Sequence, residues 1–184
     1  MLLSRMDHLE IFRPKCDPSK EVLHAIATFT ADISPALPYL NAELGGWDYD
    51  AQNHVLLLKL SDGKWITFHP HQIAIRGCRD LEEAHALLNW AQGQINEIYE
   101  RREHLSPRYT GQAGLKVMEI LKTLPLTNCK LCGYATCMAF AAALREGEAS
   151  PEYCTPLAEE EYREKREKLL SYLESYGWRA IDAG

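Results

Sequence analysis

The sequence lacks an apolar run long enough to cross a membrane. Residues 139–144 form one of the longest apolar runs, whereas a membrane-spanning helix needs about 20 consecutive apolar residues. Residues 1–7 hold two leucines followed by charged side chains, so they also lack the apolar region of a secretory signal. We therefore expect a cytoplasmic chain without a membrane span.

Positive charge is also scarce. The 184 residues include 20 Lys and Arg against 26 Asp and Glu, a formal net charge of −6. Nucleic acids attract proteins mainly through cationic contacts to phosphate, so we expect no nucleic-acid partner. The 46% hydrophobic and 25% charged residues are typical of a folded globular chain and exclude a disordered one.

Recognisable catalytic motifs are missing as well. The pair Gly45 and Gly46 is too little for a phosphate-binding loop. No nucleophile stands beside an evident base, and the C-x3-C-x2-C pattern typical of radical chemistry does not occur. These absences favour an electron carrier or accessory protein over an enzyme, although they leave the question of catalysis open.

Cysteine is the informative residue type. Of the six cysteines, Cys16 and Cys78 stand alone, and we interpret both as small buried side chains rather than ligands. The other four follow the spacing C-x2-C-x4-C-x16-C; they are Cys129, Cys132, Cys137 and Cys154. In a chain without a secretory signal, clustered cysteines indicate metal binding or redox chemistry rather than disulfides.

The spacing favours an iron–sulfur cluster. Three thiolates within nine residues can surround a compact inorganic core, and a remote cysteine near Pro156 can complete the site. Gly133 lets the backbone pass close to such a core. Thr136 is a predicted N-cap of a helix that begins at Cys137, and Gly147 is its predicted C-terminal stop. A structural zinc site is the alternative, but zinc usually takes two separated C-x2-C pairs, and only one is present.

Residues 124–157 closely resemble the small iron–sulfur domain of the corrinoid iron–sulfur protein large subunit and of the Rnf complex B subunit. That family reads LP-x-T-x-C-x2-C-G-x3-C-x-x-[FY]-A, with a Cys-x-Pro at the fourth ligand. The matching positions here are Leu124, Pro125, Thr127, Cys129, Cys132, Gly133, Cys137, Phe140, Ala141, Cys154 and Pro156. The resemblance implies that the four cysteines bind one 4Fe–4S cluster. Lys130 and Leu131 depart from the family, in which Gly and a polar residue are common.

The rest of the chain predicts an α+β fold in two domains. Strand patterns occur at residues 9–13, 54–60, 65–68 and 73–75, and Asp62-Gly63 favours a hairpin, which together predict a small antiparallel sheet. Helices are predicted over residues 20–32, with Ser19 as cap, and from Asp80 to about residue 101.

Residues 105–108 are the predicted linker between two domains. They give an α+β domain of unknown role at 1–107 and an all-helical 4Fe–4S domain at 108–184. The latter has a helix predicted over 112–123, with Met118 on its apolar stripe, and another over 158–176. The second helix carries the predicted i,i+4 pairs Glu161–Lys165 and Glu164–Lys168. The front part loosely resembles an uncharacterised α+β unit that precedes this module in proteins of anaerobes.

Two function hypotheses follow. The first is an electron-transfer protein of anaerobic metabolism, whose redox partner is a protein such as a corrinoid protein that needs its cobalt reduced. The second is a non-enzymatic adaptor in which a cluster or zinc ion is purely structural.

The acidic stretch 146–174 is either a solvated helix face or a docking surface for a basic partner. His69 and His71 are interpreted as a polar strand end rather than metal ligands, because no carboxylate or cysteine nearby completes a site.

Overall fold

A computed structural model describes residues 1–14, 22–60 and 62–178 of the chain. The chain divides into two compact units, Met1–Tyr109 and Thr110–Gly184. Within the described ranges, a six-stranded antiparallel sheet and five α-helices confirm the predicted α+β class. None of the helices in these described ranges is long and apolar enough to cross a membrane.

The first unit is built on an antiparallel sheet with the strand order β1-β2-β6-β5-β4-β3. The strands are β1 (His8–Phe12), β2 (Leu23–Thr28), β3 (Asp48–Asp50), β4 (Val55–Lys59), β5 (Trp65–His69) and β6 (Gln72–Cys78). Strands β4, β5 and β6 form the predicted meander, with Leu58 opposite Ile66 and Ile66 opposite Ile75. These three side chains are buried, so alternate residues supply one core face of the sheet.

Two helices belong to this core, α1 (Leu37–Leu44) and α2 (Leu81–Arg101). The predicted α2 is confirmed, and the Asp80 carboxylate accepts a hydrogen bond from the Glu83 backbone N–H at 2.8 Å. Its buried stripe has helical spacing and consists of Ala84, Leu88, Ala91, Ile95 and Ile98. The Glu83 carboxylate also pairs with Lys64 at 3.2 Å and accepts the Arg79 backbone N–H at 2.6 Å.

The helix predicted over residues 20–32 is wrong, because Leu23–Thr28 is strand β2; the predicted cap Ser19 lies outside the described residues. Strand β2 lies between β1 and β6, and its two faces both carry apolar side chains. Ala25 and Ala27 are wholly buried, while Ile26 on the other face is half-buried. Apolar residues on both faces of an inner strand imitate the spacing of an amphipathic helix.

The second unit holds α3 (Val117–Thr123), α4 (Cys137–Glu146) and α5 (Arg163–Ser175). Short 3-10 turns lie between and before them, at Gln112–Gly114, Pro151–Tyr153, Thr155–Ala158 and Glu160–Tyr162. The helices share a separate core that includes Leu115, Ile120, Leu124, Phe140, Leu144, Leu157, Leu169 and Leu173.

Two helices of this unit begin later than their patterns predict. Residues 112–116 form a 3-10 turn and an extended segment, so α3 begins only at Val117, and Met118 is 54% exposed rather than part of the buried stripe. Thr155–Ala158 and Glu160–Tyr162 form two 3-10 turns, so α5 begins at Arg163 rather than at residue 158.

Candidate metal centre

Several residues of the loop that carries the first three cysteines have left-handed backbone conformations. Leu126, Asn128 and Lys130 have φ values of 63°, 49° and 64°, and Gly133 follows with 84°. Left-handed residues that alternate with ordinary ones turn successive backbone N–H groups toward one side, a concavity that binds anions and occurs in many Fe–S sites. A Cβ at Gly133 would meet open space, so the positive φ rather than crowding by protein atoms favours glycine here.

Two side chains cap the helix that begins at Cys137. The Thr136 hydroxyl accepts a hydrogen bond from the Ala139 backbone N–H at 3.1 Å, which confirms the predicted N-cap. The Asn128 carbonyl oxygen Oδ1 accepts one from the Cys137 backbone N–H at 2.8 Å. This second bond joins the start of the loop to the start of α4, and it therefore holds Cys129 and Cys137 in one compact segment. The helix ends at the predicted Gly147, whose φ is 75°.

Cys154 reaches the same region from a different part of the chain. It lies between the turns Pro151–Tyr153 and Thr155–Ala158 and is 7% exposed, whereas Cys129 is exposed. The buried Leu157 and Phe140 belong to the same hydrophobic cluster as Cys154. The core of the second unit thus places one cysteine inside while the loop presents another to solvent.

The thiols differ in their tendency to ionise. Burial raises the pKa of Cys154, and the charges of Cys132, Cys137 and Cys129 raise it further. A hydrogen bond from the Thr127 hydroxyl and another from the Leu131 backbone N–H lower the pKa of Cys129. Burial therefore disfavours the thiolate of Cys154, whereas hydrogen bonds stabilise the thiolate of Cys129, the most exposed of the four.

The donor set fits an iron–sulfur core better than a single ion. In the side-chain positions described for residues 1–14, 22–60 and 62–178, no three His, Cys, Asp or Glu groups are close enough to hold one metal ion. Four cysteines are, however, the ligand set of [4Fe–4S] clusters, in which each thiolate binds a different iron. The positive end of the α4 dipole, at Cys137, would offset part of the negative charge of such a core.

The remaining candidate residues lie elsewhere. Cys78 is wholly buried in the core of the first unit, and Cys16 lies outside the described residues. His69 and His71 lie at the β5–β6 turn, where a His71 ring nitrogen is 3.0 Å from the Ala31 carbonyl oxygen.

Two positioning residues were missed from the sequence. One is Asn128, whose only sequence signal is that asparagine tolerates the left-handed conformation. The other is Lys165, predicted to pair with Glu161, whose Nζ instead donates to the Leu124 carbonyl oxygen at 2.9 Å. That bond connects α5 to the end of α3, immediately before the cysteine loop. The predicted pair Glu164–Lys168 does form, at 3.9 Å.

Comparison with known proteins identifies the class of this segment. Residues 124–156 match the sequence profile of a family described as "Putative Fe-S cluster". The profile covers all four clustered cysteines and ends at Pro156, which confirms the resemblance over this part of the chain.

Particular relatives match about a quarter to a third of the chain. The chain is 41% identical over 59 residues to the gamma subunit of the acetyl-CoA decarbonylase/synthase complex of Methanocaldococcus jannaschii, which is 32% of this chain and 12% of that protein. It is 47% identical over 57 residues to the gamma 2 subunit of the same complex in Methanosarcina thermophila, 31% and 12% of the respective chains. It is 50% identical over 40 residues to the B subunit of the ion-translocating oxidoreductase complex of Rhodobacter capsulatus, 22% and 21% of the respective chains. The chain thus matches about an eighth of the gamma subunits, and no solved structure matches it.

Proposed function

We propose that this chain is an electron-transfer protein whose residues 108–184 form a helical domain that binds one 4Fe–4S cluster through Cys129, Cys132, Cys137 and Cys154. The observation that carries the proposal is that a segment matching an iron–sulfur family holds four cysteines of one helical unit, on a loop, at a helix start and between two 3-10 turns. When bound, such a cluster accepts and donates single electrons.

The chain's own residues supply the environment of that site. The reduction potential of a cluster depends on hydrogen bonds to its cysteine sulfurs and on its exposure to water. Here the Thr127 hydroxyl and the Leu131 N–H donate to Cys129, while Cys154 is shielded from water. The site is therefore open on the Cys129 side and closed on the Cys154 side.

The open side carries the features of a transient docking surface. Leu126, Leu131 and Met138 flank the first three cysteines and are 52%, 66% and 43% exposed. Exposed apolar side chains next to a redox centre let a partner exclude water at the point of closest approach. The partner we propose is a redox protein, and the resemblance to corrinoid iron–sulfur subunits makes a corrinoid protein the first to test.

The acidic stretch 146–174 contributes less to this surface. Several of its carboxylates are paired within the helix, since Arg163 contacts Glu160 at 3.2 Å and Lys168 contacts Glu164 at 3.9 Å. Such exposed pairs are weak, but they reduce the local field that a basic partner would experience.

An anaerobic preparation of the chain tests the proposal. We expect a brown protein with about four irons and four sulfides per chain and a reversible one-electron signal. Alanine at any of the four clustered cysteines should remove the iron, whereas Cys78→Ala and Cys16→Ala should retain it. Full iron in Cys137→Ala, or its loss in Cys16→Ala, would contradict the ligand assignment.

The alternative is an adaptor in which the metal only stabilises the helical unit. A colourless protein with one zinc per chain, or a cluster that cannot be reduced reversibly, would favour it. The division of the chain into Met1–Tyr109 and Thr110–Gly184 suits either function, because the metal site then lies wholly within one unit.

A further inference from the structure

A cavity of about 370 Å³ lies in the second unit, and Cys154 forms part of its wall. Its apolar lining includes Leu157, Leu170 and Trp178, and its polar groups come from Ser150, Glu152 and Arg166. Cavities that bind small molecules are of this kind, mostly apolar with a few placed polar groups, and range from about 300 to 1,000 Å³.

Arg166 is the distinctive group of this cavity. Its Nη1 donates to the carbonyl oxygen of the buried Leu157 at 2.9 Å, which fixes the guanidinium against the wall. Within the described residues no carboxylate pairs with it. Arg163 and Lys168 of the same helix do pair with glutamates, while Lys165, like Arg166, donates to a backbone carbonyl oxygen.

The walls are held in place. The Trp178 indole Nε1–H donates to the Leu144 carbonyl oxygen, and its backbone N–H donates to the Leu173 carbonyl oxygen at 3.0 Å. Leu170 is 42% exposed although it lines a cavity, so its apolar surface is available to a ligand. A fixed indole, an exposed leucine and a fixed guanidinium together favour a molecule that is apolar at one end and anionic at the other.

Glu152 limits the charge of that molecule. Its carboxylate lines the same cavity as Arg166, so the lining is close to neutral overall. A second negative charge on the ligand therefore gains little from this neutral lining, while a single carboxylate can form a bidentate pair with the guanidinium.

We propose that this cavity binds a small organic monocarboxylic acid, with its carboxylate on Arg166 and its apolar body against Leu157, Leu170 and Trp178. The binding is independent of the proposed electron-transfer function, because none of these contacts requires a bound cluster. Cys154 also lines the cavity, so a bound acid would cover the 7% of that cysteine that remains exposed.

Calorimetric titration of the full chain with phenylacetate and indole-3-acetate tests the proposal, with 2-phenylethanol as the uncharged control. We expect saturable binding of at least one acid and binding at least about tenfold weaker for the alcohol. Arg166→Gln should weaken acid binding at least about tenfold, because it removes the charge that pairs with the carboxylate. The matched control Arg163→Gln removes the same charge from the same helix outside the cavity, and it should change binding less than about twofold.

A second variant tests the cavity without changing its charge, in case Arg166→Gln fails to fold. Ala158→Phe places a larger side chain in the cavity lining without changing the charge, and it should abolish acid binding. The proposal is overturned if neither acid binds at about 10 mM, if the alcohol binds equally well, or if Ala158→Phe binds like the unaltered chain. Iron analysis of the same samples separates this outcome from a failure of the cluster assignment.

Discussion

Asn128→Ala is expected to loosen the start of α4 more than any other single change in the loop that leaves the cysteines intact. The substitution removes the hydrogen bond from the Cys137 N–H to Oδ1, observed at 2.8 Å. It also places alanine at a φ of 49°, where asparagine is better tolerated. The lost bond costs about 1 kcal/mol and the backbone strain about 1 kcal/mol more.

The sum of about 2 kcal/mol corresponds to about 30-fold faster hydrogen exchange of the amides in the first turn of α4. The measurement is native-state exchange on the reduced, metal-free chain, so that bonds from Cys137 to a metal do not mask the effect. Exchange in α2 of the first unit serves as the internal reference and should not change.

Two further variants separate the causes. Asn128→Gly removes the same hydrogen bond but tolerates the positive φ, so it should show the loss of the bond alone, about 1 kcal/mol. Thr136→Ala removes the other cap and should cost about 1 kcal/mol as well. The reasoning fails if Asn128→Ala exchanges like the unaltered chain, or if Asn128→Gly exchanges faster than Asn128→Ala.

Three further predictions concern other parts of the chain. Lys165→Met should lower the thermal midpoint of the second unit, because the Leu124 carbonyl oxygen loses its side-chain donor. Glu161→Gln should leave the midpoint unchanged; equal effects of the two variants would show that Lys165 pairs with Glu161 instead. The Arg79 N–H and then the Lys64 ammonium hold the pKa of Glu83 below its ordinary value of 4.5. The charged Glu83 carboxylate therefore stabilises the fold at neutral pH, and this contribution is lost as the pH falls through the lowered pKa. Denaturant titrations should therefore show a shallower loss of stability below about pH 4.5 in Glu83→Gln, and an unchanged slope would refute this. Removing the metal should reduce exchange protection far more in residues 128–156 than in 55–98, and an equal loss would mean that the two units unfold together.

Local signals account for the features that were predicted correctly. Asp80, Thr136 and Gly147 act on backbone groups within a few residues of themselves, so their types and positions indicate the ends of α2 and α4 directly. The hairpin at Asp62-Gly63 likewise depends on one turn. The spacing of Cys129, Cys132 and Cys137 is also local, so these three could be proposed as ligands from the sequence alone.

Nonlocal contacts decided what the patterns did not. The sequence of β2 suits either a helix or a strand, and its insertion between β1 and β6 selects the strand, because both neighbours satisfy its backbone hydrogen bonds. Nonlocal hydrogen bonds also shape the candidate site. Asn128 accepts from the Cys137 N–H nine residues away, and Lys165 donates to the Leu124 carbonyl oxygen 41 residues away. Residue types and spacing are enough to establish which four thiols are available and where the helix at Cys137 begins. The burial of Cys154 and the exposure of Cys129 follow from packing alone, because exposure depends on which distant side chains lie against each sulfur.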